Sequence, residues 1–155
     1  MSQVFAILLR FVVILLGLAA ASLAASAFMH LMLLAPLGFT AEEAGWAAAG
    51  SLVFSIPFVA LFVAYLAFVP AMVVIVIGEL LPRRDWLSYA LAGAAVGAVV
   101  AAMLGYAPDA SGASVVDSRF ALLMLGSGIV GGFFYWLTAG RFAGSWRQPA
   151  ISSAP

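Results

Sequence analysis

The chain has 155 residues, 66% of them apolar and 8% charged, with zero net charge and no cysteine. A soluble domain carries about 25% charged residues, so a water-soluble globule and a disordered chain are both excluded. The missing cysteines remove disulfides, thiolate metal sites and cysteine nucleophiles together, and the balanced charge gives no basic face for nucleic acid.

What remains is an integral membrane protein, in keeping with a mean hydropathy of +1.22. Four charge-free runs are long enough to cross a hydrocarbon core, which takes about 20 residues. They are Phe11–Ala41, Ala44–Gly78, Trp86–Pro108 and Phe120–Gly140. Lipid admits only helices or a closed barrel. Barrel strands alternate apolar and polar residues, whereas Phe11–Gly17 and Pro70–Ile77 are apolar throughout, so the spans are helices.

Span 1 is expected over about 11–35, stopped by Pro36. A cleaved signal peptide is the rival reading, since Ala25-Ser26-Ala27 has the form of a cleavage site. The apolar run continues through Phe28–Ala35, and this favours a retained span. His30 is then expected to be the one ionisable residue inside a span, a functional candidate by its position. Ser51 and Ser55, near the same end of span 2, are its expected hydrogen-bonding partners, and the three make a possible polar site. A lone histidine near an interface is more often structural, and it cannot build a metal site by itself.

Thr40 and Glu43 have capping-box spacing and announce the next helix. Span 2 is expected over 46–81 as one unusually long helix, because no polar turn divides it. Pro57 and Pro70 should bend it. Tyr65 falls near mid-depth and is expected to find a backbone or serine partner. Glu79 precedes Arg83 by four residues, the favourable order for a helical ion pair. With Arg84 and Asp85 it forms a charge cluster, most simply an interfacial anchor and otherwise a docking point for a partner or an anionic headgroup.

Span 3 is expected over 86–104, with Asp85 as its N-cap, and span 4 over 120–139, after a loop rich in Gly, Ser, Pro and Asp. Residues 140–155 form a tail. Gly93 and Gly97 recur at four-residue spacing in span 3, as do Gly128 and Gly132 in span 4. Small residues let helix backbones approach in lipid. The rows are read first as the contact between spans 3 and 4, and second as a dimerisation face.

Arg10, Arg83, Arg84, Arg141 and Arg147 fall on one side of a four-span chain and Arg119 on the other. The positive-inside rule then places both termini in the cytoplasm. Trp46, Trp86 and Trp136 sit near expected boundaries, as an aromatic belt requires.

Three stretches carry a resemblance: FVPAMVVIVIGE (Phe68–Glu79), WLSYALAGA (Trp86–Ala94) and GGFFYWLTAGRFAGSW (Gly131–Trp146). Together they resemble a group of small bacterial inner-membrane proteins with four spans. The resemblance implies the span number and a bacterial inner membrane, and it brings no activity and no site residue. Small four-span multidrug exporters share the span number, but this chain lacks their membrane-embedded glutamate in span 1.

The expected fold is therefore all-α, an integral membrane bundle of four transmembrane helices forming a single domain. No nucleophile–base pair, metal set, phosphate loop or central carboxylate is present to suggest chemistry, so no enzyme activity and no cofactor are expected. The leading expectation is a non-catalytic structural, assembly or accessory subunit. The alternative is a small oligomeric transporter or channel with a path near the outer ends of spans 1 and 2. Expected partners are membrane lipid and another membrane protein or a second copy of the chain, not nucleic acid.

Overall fold

A computed structural model describes residues 3–34, 46–81, 83–105 and 118–144. Four helices occupy them: α1 Gln3–Leu34, α2 Trp46–Leu80, α3 Trp86–Gly105 and α4 Ser118–Thr138. A short 3-10 turn, Gly140–Phe142, follows α4. All four helices are long and apolar enough to cross a membrane. The molecule is an all-α four-helix bundle of membrane-spanning length, and α2 runs as one 35-residue helix with Pro57 and Pro70 inside it.

The helices alternate in direction. Arg10 of α1 meets Glu79 of α2, and Ser26 bonds to the carbonyl of Ile56, so α1 and α2 run antiparallel. Gly17 faces Ala139, and Gly126 faces Phe28, which sets α4 antiparallel to α1. Gly93 lies against Gly128, and Gly97 against Met124, which sets α3 antiparallel to α4. One end of the bundle carries Arg10, Glu79, Arg84 and Arg141; the other carries His30. Helix α4 is the hub, packed most extensively on α3 and next on α1. Helix α2 leans on α1 and touches α3 least of the neighbouring pairs.

Helix α1 starts at Gln3, well before the expected Phe11. The charge of Arg10 does not end the span, because the guanidinium turns into the bundle and is partnered there. His30 is accordingly not the only ionisable residue within a span: Arg10 and Glu79 both lie inside the apolar membrane-length stretches of their helices. The Thr40–Glu43 capping box, the Trp46 side chain, the loop before α4 and the tail beyond residue 144 lie outside the described residues.

Candidate functional site

Two features lie inside the bundle: a polar clasp at the Arg-rich end and an apolar cavity above it. The clasp is built on Arg10, 8% exposed. Its Nε donates to Glu79 Oε1 at 3.0 Å, its second terminal nitrogen closes an ion pair with the same oxygen, and its Nη1 donates to the Ala139 carbonyl at 3.1 Å. The other carboxylate oxygen, Oε2, accepts from the Gly144 N–H at 3.0 Å. Gly144 has φ of 70°, a left-handed conformation that glycine adopts without a Cβ clash. Ala139 and Ala143 are fully buried on either side of the 3-10 turn. The first residues of the expected tail are thus part of the bundle.

This arrangement corrects the expected Glu79–Arg83 helical pair. Helix α2 ends at Leu80, so Arg83 is no longer in helical register with Glu79. Its N–H instead bonds back to Gly78 O at 3.3 Å. The expected cluster shares one end of the bundle, where its members make separate hydrogen bonds. Arg84 Nε donates to Ala143 O at 3.1 Å, and Trp136 Nε1 donates to Arg84 O at 2.6 Å. Asp85 caps α3, its Oδ2 accepting the Ser88 N–H at 2.9 Å. Those bonds from Ser88 favour the ionised acid and hold the Asp85 carboxyl below its ordinary range. Trp86, Phe133 and Trp136 stack beside this end, with ring centroids 5.8–6.4 Å apart.

The four expected packing glycines come together within the one chain. A Cβ on Gly93 would strike the carbonyl oxygen of Gly128, and the reverse holds for Gly128. On Gly97 it would strike that of Met124, and on Gly132 that of Tyr89. The obstacles are backbone, so no side-chain rotation relieves them. Gly131 extends the fit to α1, where a Cβ would meet Ala21 O at 3.2 Å.

The His30 region differs from expectation. His30 Nδ1 lies 2.8 Å from the carbonyl of Ser26, one turn back on its own helix. The serine that joins α1 to α2 is Ser26, wholly buried, donating to Ile56 O at 2.8 Å. Ser51 is exposed and Ser55 partly exposed. Helical periodicity places Ser22 and Ser26 on one face, the signal that could have singled out Ser26. Tyr65 departs furthest from its expected role: it is 81% exposed on the outer side of α2.

The cavity has a volume of about 220 Å³ and is bordered by all four helices. Ser22, Ala25 and Met29 line it from α1, Val63, Ala67 and Ala71 from α2, Gly97 and Val100 from α3, and Met124 and Gly128 from α4. It lies where α2 stands away from α3. Tyr89 and Tyr135, ring centroids 5.6 Å apart, close it toward the clasp. The space is half open to the outside of the bundle and its lining is almost wholly apolar, so it suits hydrocarbon, lipid chains included, rather than an ion. Among the described residues no group of three or more acidic, histidine or cysteine side chains could hold a metal ion.

No family model matches this chain, and neither a curated protein nor a solved structure matches it.

Proposed function

We propose that the chain is a non-catalytic accessory or assembly component of a bacterial inner membrane, with both termini cytoplasmic. The observation that carries this reading is the half-open apolar recess bordered by all four helices, which suits hydrocarbon of a membrane partner or of lipid and not a polar substrate. Most of the buried polar groups support it as well, the Tyr135 hydroxyl being the one buried side-chain polar atom without a hydrogen-bond partner among the described residues. Arg10, Glu79, Ser22, Ser26 and Ser127 each bond within the chain, so they serve cohesion. The orientation rests on the arginines: Arg10, Arg83, Arg84 and Arg141 share one end of the bundle, as expected of a cytoplasmic face. The resemblance to small four-span inner-membrane proteins points the same way.

The test is complementation of a deletion strain, scored beside protein level. Ala71→Phe fills the cavity from α2 and should accumulate normally yet fail to complement. His30→Leu should complement whenever it accumulates. The opposite pattern, with Ala71→Phe active and a stable His30→Leu inactive, overturns this reading in favour of a transport path near His30, Ser51 and Ser55.

A further inference from the structure

The fold brings two arginines from distant parts of the chain to the 3-10 turn after α4. Arg84 is fixed at both ends. Its carbonyl accepts from Trp136 Nε1 at 2.6 Å, and its side-chain Nε donates to Ala143 O at 3.1 Å. That leaves the two terminal nitrogens as a planar fork, a geometry that matches phosphate oxygens. Arg141 belongs to the same turn, two residues before Ala143, or about 4 Å along its axis. Its guanidinium carbon stands 4.8 Å from the centre of the Phe142 ring. Both arginines are exposed, and neither is paired with an acid among the described residues.

The acids at this end are engaged elsewhere. Glu79 takes Arg10 and the Gly144 N–H. Asp85 takes the Ser88 N–H as the cap of α3, and the charge of Arg83 bears on it. The other four acids of the chain belong to the α1–α2 and α3–α4 connections. Two cations on one turn repel each other, and an anion from outside relieves this. Position identifies the anion. The α4 span ends at Thr138, and the turn begins two residues later. Trp86, Phe133 and Trp136 stack beside it, and tryptophan collects where a membrane meets water. At that depth, in either leaflet, the anion at hand is a lipid phosphate. A zwitterionic headgroup brings its own cation, so two arginines favour an anionic one. We infer that Arg84 and Arg141 form a binding site for the phosphate of an anionic phospholipid, beside the Trp86–Phe133–Trp136 face. The site stands whether or not the chain serves as an accessory component.

The test is native mass spectrometry of the delipidated protein in non-ionic detergent, titrated with phosphatidylglycerol or with phosphatidylcholine of the same acyl chains. The wild type should retain phosphatidylglycerol in preference. Arg141→Gln removes a guanidinium that makes no hydrogen bond among the described residues. It should keep its melting temperature and lose roughly five-fold in phosphatidylglycerol affinity, the contribution of one arginine at an anionic surface. Arg84→Lys keeps a charge and a donor for Ala143 O but loses the fork, so it should bind more weakly too. Arg119→Gln, exposed at the opposite end of the bundle, should bind as the wild type does. The inference is overturned by equal retention of the two lipids, by unchanged affinity in either Arg141→Gln or Arg84→Lys, or by an equal loss in Arg119→Gln. Displacement of the lipid by an equimolar amount of inorganic phosphate also overturns it, by assigning the site to the free anion.

Discussion

Arg10 and Glu79 lie 69 residues apart in the chain and share one buried clasp. Removing one partner of a buried ion pair strands the other charge and typically costs about 3–5 kcal/mol, whereas replacing both by apolar residues is often neutral. Arg10→Leu and Glu79→Leu should each destabilise the bundle on that scale, by thermal unfolding in detergent. The double variant should recover most of the loss, giving a large coupling energy in a double-mutant cycle. Additive losses would mean that the two side chains do not act as a pair. None of this was legible from spacing. A local rule connects Glu79 to Arg83 and leaves Arg10 at the membrane surface, because the attraction that overrides it comes from another helix. The Asp85 cap was legible, since its partner Ser88 is three residues away. His30 was legible as polar and within a span, but its partner was not, because that partner is a main-chain carbonyl one turn back on its own helix, which no side-chain pattern marks.

The elements themselves were easier to read. Trp46–Leu80 contains no turn chemistry, and it folds as a single helix through two prolines. The glycine spacing marked a close helix contact, and the structure shows the α3–α4 backbones meeting at it. In lipid no hydrophobic drive brings helices together, so this close fit is what holds the pair. Gly97→Leu and Gly132→Leu should therefore lower stability at the upper end of the roughly 1–3 kcal/mol usual for overpacking, because the carbonyls of Met124 and Tyr89 cannot move aside. Gly50→Leu, where an added Cβ meets nothing within 4 Å, is the matched control and should change little. Equal stability of all three in a detergent melt would remove the packing role. The start of α1 was misread for a related reason. A charge ends an apolar run in the sequence, but it need not end a helix once a partner is supplied.

At the scale of the molecule, composition alone separated membrane from solvent, and the number of long apolar runs matched the number of helices. The cavity was beyond the reach of sequence, because it depends on how far α2 stands from α3, a distance set by packing between segments far apart in the chain. Among the described residues, Arg10, Glu79, Arg83, Arg84, Asp85 and Arg141 lie at one end of the bundle and Arg119 at the other, with apolar helix between. The most direct measurement is native mass spectrometry of the tagged chain, extracted in mild detergent from its own membrane. An accessory component predicts a second, different membrane protein in fixed ratio to the chain. Copies of this chain alone, retaining a water-soluble solute, would contradict it.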